Sequence, residues 1–235
     1  MKVFAIDTSN FTLGIALIEG SQIIGEYVTN LKKNHSVRVM PAIETLLKDC
    51  ETAPGEIGKI VAAKGPGSYT GVRIGVTIAK TLAWTLKVPL SGVSSLEALA
   101  ANGRYFNGLI SPLFDARRGQ VYTGLYQFGE SGIETVHEDT NILSSEWAAK
   151  LKEFGKPVLF VGQDICLHKE AISEQLGDLA VFSPPQAYIP RPSELAFIGR
   201  DKSDEDIHHF VPNYVRLAEA EAKWLEQQGS SQGKK

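Results

Sequence analysis

The chain writes one pattern twice. Residues 3–7 form an apolar, β-branched run that stops at Asp7, and Leu109–Asp115 is a second apolar run that stops at Asp115. Each is followed by a polar turn and two more strand-like runs, at residues 13–18 and 23–28 in the first copy and 120–128 and 133–142 in the second. Connections this tight, Gly20-Ser21 among them, predict antiparallel meanders. Apolar residues at helical spacing follow over residues 35–50, then a strand at 59–63, a helix at 70–86, a strand at 89–93 and a helix at 94–101. The second copy answers with a helix at 144–154, a strand at 157–162, a short helix at 169–176 and a strand at 179–182. Ser144 is placed to cap its helix, and Ser193 to cap a last one at 193–200. A repeated strand–strand–strand–helix–strand–helix unit predicts a duplicated α/β architecture whose second copy is the leaner.

On this pattern the chain divides into a first lobe at residues 1–106 and a reduced second lobe at 107–192. A helix and strand-like segment at 193–216 is expected to pack back on the first lobe. Residues 217–235 read as a tail, helical at its start and frayed beyond. With 235 residues and 43% hydrophobic content the chain can bury a sizeable core without staples. A net charge of −3 argues against a dedicated nucleic-acid-binding surface. Cys50 and Cys166 sit in no metal or redox spacing and suit a reducing compartment. Asp7 interrupts the first apolar run, so it does not read as a signal peptide, and no apolar stretch approaches membrane-spanning length. The expectation is a cytoplasmic protein with no membrane partner.

The link Lys64-Gly65-Pro66-Gly67-Ser68-Tyr69-Thr70-Gly71-Val72-Arg73-Ile74-Gly75 can be read as a phosphate cradle, because glycines let N–H groups approach an anion at a helix N-terminus. It lacks the lysine of a Walker loop, and Gly65, Gly67 and Gly71 are spaced one residue too wide for a dinucleotide fingerprint. Pro66 also removes a donor. The other reading is packing: Gly67, Gly71, Gly75 and Ala79 recur every four residues and leave a flat stripe for another backbone. The helix they open is apolar on nearly every side and must be covered twice. Its own sheet supplies one cover, and the helix at 35–50 or a partner chain the other, as in a four-helix seam.

Asp7-Thr8-Ser9-Asn10 either holds a magnesium-bound phosphate or builds an Asx turn. Asp115 stands in the matching place, but its turn, Ala116-Arg117-Arg118-Gly119, lacks small hydroxyl residues, and the arginines read as solvated or ion-paired. His35 is followed four residues later by Val39, so no His-x3-His metal pair exists there. His208 and His209 read as surface residues. Neither a nucleophile elbow nor a Cys–His pairing is present.

The stretches Ala5-Ile6-Asp7-Thr8-Ser9, Asn34-His35-Ser36, the glycine link, Phe114-Asp115-Ala116-Arg117 and Pro212-Asn213-Tyr214-Val215-Arg216 resemble the TsaB (YeaZ) family of the bacterial threonylcarbamoyladenosine system. The resemblance runs from Met1 to about Arg216. It implies a duplicated actin-like ATPase fold, of the sugar kinase–Hsp70–actin superfamily, with a reduced second lobe. It further implies a non-catalytic partner of TsaD, the metal-binding paralogue. TsaD transfers threonylcarbamoyl from threonylcarbamoyl-AMP, made by TsaC, to N6 of the adenosine beside the anticodon in tRNAs reading ANN codons. TsaE, an ATPase, would join the heterodimer as a ternary complex, and the chain alone would form a homodimer.

On the same resemblance the chain holds no cofactor of its own; ATP, Mg and the TsaD metal belong to partner subunits, and tRNA is reached through the complex. Asp7, Ser9 and Asp115 are the residues that would meet a nucleotide. The expected partner interface comprises His35, Val39, Met40, Ile43, Leu46 and Leu47 on the first helix, with Gly71, Val72, Arg73, Gly75, Val76, Ala79 and Leu82 on the second. Val76→Arg or Ile43→Glu is expected to break association while leaving the monomer folded. The competing readings are a glycoprotease-like peptidase acting on TsaD and a small-molecule kinase or ATPase of the same fold.

Overall fold

A computed structural model describes residues 1–215; Arg216 and the expected tail at 217–235 lie outside the described residues. Strands β1 (Lys2–Asp7), β2 (Thr12–Glu19) and β3 (Gln22–Asn30) form the expected antiparallel meander. Helix α1 (His35–Asp49) leads to β4 (Ile57–Ala63), and α2 (Tyr69–Leu86) leads to β5 (Leu90–Val93). Both strands run parallel to β1, giving the sheet order β3-β2-β1-β4-β5.

The alternation of β1 sorts the two faces. Phe4 and Ile6 pack with Val39, Ile43, Val72 and Val76 under α1 and α2. Val3 and Ala5 point the other way, into a cluster containing Ala98 of α3 (Ser95–Ala100) and Leu195 and Ala196 of a late helix.

The second sheet repeats the first strand for strand. Its members are β6 (Leu109–Asp115), β7 (Gln120–Gly129), β8 (Gly132–Leu143), β9 (Val158–Val161) and β10 (Ala180–Phe182), in the order β10-β9-β6-β7-β8. Helices α4 (Ser144–Lys152) and α5 (Ile165–Leu176) cover one face, where Trp147 is buried and donates its indole N–H to the Ser111 hydroxyl at 2.9 Å. The other face meets Leu96 and Leu99 of α3, whose six residues are all buried between the two lobes. Ser94 caps α3 and also donates its hydroxyl to Asp139 of β8, which accepts from Tyr126 as well. This is the expected duplicated α/β arrangement. The last helix among the described residues, α6 (Pro192–Asp201), packs back onto β1, β2 and β4. No helix among the described residues is long and apolar enough to cross a membrane.

Local expectations fail at three helix starts. Helix α5 begins at Ile165, before the expected residue 169, because Ile165 and His168 are buried and extend the face of Ile172 and Leu176. Ser144 is not a cap: β8 runs straight into α4, the N-cap position is Leu143, and the Ser144 N–H donates to the Gly119 carbonyl at 3.0 Å. Ser193 is not a cap either. Pro192 takes the first turn of α6, and the Ser193 N–H donates to Glu26 Oε1 at 2.8 Å. A carboxylate from β3 therefore does the work of the missing cap.

Candidate functional site

The turn after β1 is tied from within and from both sides. The Ser9 N–H donates to Asp7 Oδ1 at 2.8 Å, and the Thr12 N–H donates to Asn10 Oδ1 at 2.6 Å, two Asx-type turns in succession. His35, the first residue of α1, sets its Nε2 2.7 Å from the Asn10 carbonyl oxygen. From the other side the Ser68 N–H donates to the Ser9 carbonyl at 2.6 Å, and the Thr8 hydroxyl donates to the Gly71 carbonyl at 2.7 Å.

The glycine stripe explains how α2 comes so close. A Cβ on Gly67 would run into the Ser9 carbonyl, and one on Gly71 into the Thr8 carbonyl; on Gly75 it would stand 2.6 Å from the Thr8 hydroxyl. The backbone that the stripe admits is this chain's own β1–β2 turn. That corrects the expectation that Gly71 and Gly75 offer a flat face to a partner subunit: helical spacing reveals close approach but not what approaches.

Asp7 is 2% exposed. Burial pushes its carboxyl above the ordinary range, against the opposing pull of the Ser9 N–H and the nearby His35. Asp7 Oδ2, Ser9 Oγ, Thr12 Oγ1 and His35 Nδ1 have no hydrogen-bond partner among the described residues. A magnesium-bound phosphate needs an open face, and Asp7 and Ser9 are 2% and 0% exposed, so the residues present do not fit it.

Asp115 lies half-buried at the end of β6, with Oδ1 3.1 Å from Nε2 of the buried His168. Its N–H donates to Asp164 Oδ2 at 2.9 Å. Arg117, Arg118 and Gly119 take left-handed backbone conformations in the turn beyond, and both arginine residues are exposed. Among the described residues no group of three or more His, Cys, Asp and Glu side chains is placed to hold a metal ion. His208 and His209 are exposed, as expected.

The expected interface residues divide by burial. Val39 and Ala79 are fully enclosed, and Ile43, Leu46, Leu47, Val72 and Val76 are buried with them against β1, β2 and β4. His35, Gly71 and Gly75 hold the turn. The densest apolar spacing on each helix belongs to the face that covers the sheet, which is why sequence reasoning picked it out. Met40 remains at the surface at 51% exposure, Leu82 is half-buried and Arg73 is exposed. Sequence reasoning missed Trp84, 65% exposed on the polar side of α2, and Val37 on α1. A tryptophan standing among Thr77, Lys80 and Thr81 was the available signal. Between α1 and the C-terminal end of α2 runs an apolar groove of about 550 Å³, lined by Met40, Pro41, Leu47, Leu82 and Leu86 among others.

A family model described as TsaD: tRNA N6-adenosine threonylcarbamoyltransferase matches residues 22–224. The tRNA threonylcarbamoyladenosine biosynthesis protein TsaB of Bacillus subtilis (strain 168) is 60% identical over 228 residues, covering 97% of this chain and 100% of the relative. The protein of the same name from Escherichia coli (strain K12) is 34% identical over 161 residues, 63% of this chain and 69% of the relative. YeaZ from Pseudomonas aeruginosa superposes with a TM-score of 0.74 at 22% identity, covering 91% of this chain and 99% of that one, which shows the fold. A second Pseudomonas aeruginosa structure, described as an uncharacterized protein with similarity to peptidase YEAZ, gives a TM-score of 0.78 at 22% identity over 92% and 99% of the two chains. By sequence over nearly its whole length and by fold, the chain belongs to the TsaB (YeaZ) family.

Proposed function

We propose that this chain is the non-catalytic partner of TsaD in the biosynthesis of threonylcarbamoyladenosine in tRNA, the process for which its relatives are named. The observation that carries the subunit reading is a closed turn beside an open helical face. Asp7 and Ser9 are enclosed in the turn, while α1 and α2 present Met40, Pro41, Leu82 and Leu86 around an apolar groove. Stable interfaces bury roughly 800 Å² per partner around a few aromatic or aliphatic anchors, and Met40 and Leu82 on the groove have the character of such anchors. TsaD is the occupant we assign to this face, with TsaE joining the pair and tRNA reached through the assembly. ATP, magnesium and the TsaD metal are assigned to the other subunits.

Reconstitution tests the reading. TsaC, TsaD and TsaE with threonine, bicarbonate, ATP and tRNA should form the modified adenosine only when this chain is added, and the chain should co-elute with TsaD. Equal modification without the chain would overturn the proposal.

A further inference from the structure

A second feature of α2 lies at its other end, away from the groove. The Arg73 guanidinium sits 4.0 Å from the centroid of the Tyr69 ring and 5.7 Å from that of Tyr214. Its Nε donates to the Tyr214 hydroxyl at 2.6 Å. The two rings are 5.5 Å apart and inclined at 33°. Tyr214 arrives here because the segment after α6 returns over the first lobe, where Phe210 is buried in the core and the Asn213 N–H donates to the Lys64 carbonyl at 2.6 Å. Beside the stack is a cleft of about 40 Å³ walled by Tyr69, Tyr214 and, from the second lobe, Tyr122 of β7.

Holding the returning segment in place does not account for this arrangement. Phe210, Asn213 and the Lys64–Glu205 ion pair already anchor it. An anchor would also be enclosed, whereas Tyr69 is 49% and Tyr214 44% exposed. Among the described residues, the side chains that stack on or hydrogen-bond to Arg73 are the two tyrosines. Ring faces and a positive charge are thus offered to solvent at the junction of the lobes. Aromatic rings with a stacked guanidinium are the chemistry that receives an unstacked base and its neighbouring phosphate.

We infer that Tyr69, Arg73 and Tyr214 form a stacking platform for a single-stranded stretch of the tRNA. The inference rests on the function proposed above. With a net charge of −3 the chain does not supply the bulk of the phosphate contacts, so the platform orients RNA that the assembly holds elsewhere.

The test is fluorescence anisotropy of a labelled tRNA reading ANN codons, titrated with the chain–TsaD complex. Tyr69→Ala, Arg73→Ala and Tyr214→Ala should each raise Kd roughly tenfold. Tyr69→Phe, which keeps the ring, should regain most of what Tyr69→Ala loses. Tyr105→Ala removes a fully exposed tyrosine elsewhere and serves as the control. Melting curves identify any variant that fails to fold; Tyr69→Ala, on a helix surface, leaves the Arg73–Tyr214 bond in place. An unchanged Kd would overturn the platform. Loss of co-elution with TsaD would make the site a protein contact, and the same loss of affinity for ATP alone would make it a nucleotide site; either result also overturns it. Anisotropy reads the platform whether or not modification needs the chain, so its failure is separable from failure of the proposed function.

Discussion

The carbonyl oxygen of Thr8 stands where a Cβ on Gly71 would have to go, and the Thr8 hydroxyl donates to the Gly71 carbonyl at 2.7 Å. Two backbones are thereby locked across 63 residues of chain, neither of them a flexible side chain that could swing aside. Gly71→Ala should therefore destabilise the fold by about 1–3 kcal/mol, even though alanine favours a helix by about 1 kcal/mol over glycine. Gly75→Ala should cost less, because its Cβ would meet the movable Thr8 hydroxyl. Urea denaturation ranks the two; a Gly71→Ala chain as stable as the parent would refute the contact.

Asp7 gives a prediction with a definite sign. Its folded-state carboxyl is raised above the ordinary 3.8 by burial, so the folded chain binds that proton more tightly than the unfolded chain. The stability this contributes is present in acid and is lost as pH rises through the raised value. Asp7→Asn keeps an oxygen to accept from the Ser9 N–H and removes the buried charge. The variant's melting temperature relative to the parent should climb between pH 4 and pH 7. A constant gap, or one that closes, would show that the carboxyl is not raised by burial.

Much of this was legible in the residues alone, and the gaps have physical causes. Both meanders, the order of strands and helices and the repeat follow from alternation and helical spacing, which are local. The stripe Gly67–Gly71–Gly75 was legible as close packing, but its counterpart, Thr8 and Ser9, lies far off in sequence and no periodicity points to it. Val39 and Ala79 read as a seam because an apolar stripe looks the same whether it meets its own sheet or another chain. His168 went unnoticed because a buried histidine facing Asp115 looks polar in a helical pattern. The cap of α6 was placed on Ser193, the residue type that caps locally, when the acceptor came from Glu26 on β3.

Glu26 itself is testable. Burial alone would raise its carboxyl, but the hydrogen bonds and charge of Arg191 and the Ser193 N–H outweigh that and hold it below 4.5. Glu26→Ala leaves the first turn of α6 without its acceptor, at a cost of about 1 kcal/mol at neutral pH. A lowered carboxyl contributes stability above its unfolded value, and that contribution is lost as pH falls through the folded one. The difference between parent and variant should therefore shrink on acidification to pH 3. A difference that grows in acid would exclude the carboxylate as the cap.

The docking face separates from the core by mutation. Val76 and Ile43 were expected to tolerate a charge in the free monomer, but both are buried against the first sheet. Val76→Arg should unfold the chain, since an unpaired charge taken from water into an apolar core costs several kcal/mol. Met40→Glu alters a half-exposed side chain, so the monomer should stay within about 0.5 kcal/mol of the parent. Seated against TsaD, the same carboxylate would lose its water without gaining a partner, and association should weaken at least about tenfold, or 1.4 kcal/mol. Leu82→Ala, which removes an aliphatic side chain lining the groove, should cost about 1 kcal/mol of association. Titration of TsaD with each folded variant measures both effects. If Met40→Glu and Leu82→Ala bind TsaD as the parent does, the seam lies elsewhere than the α1–α2 groove.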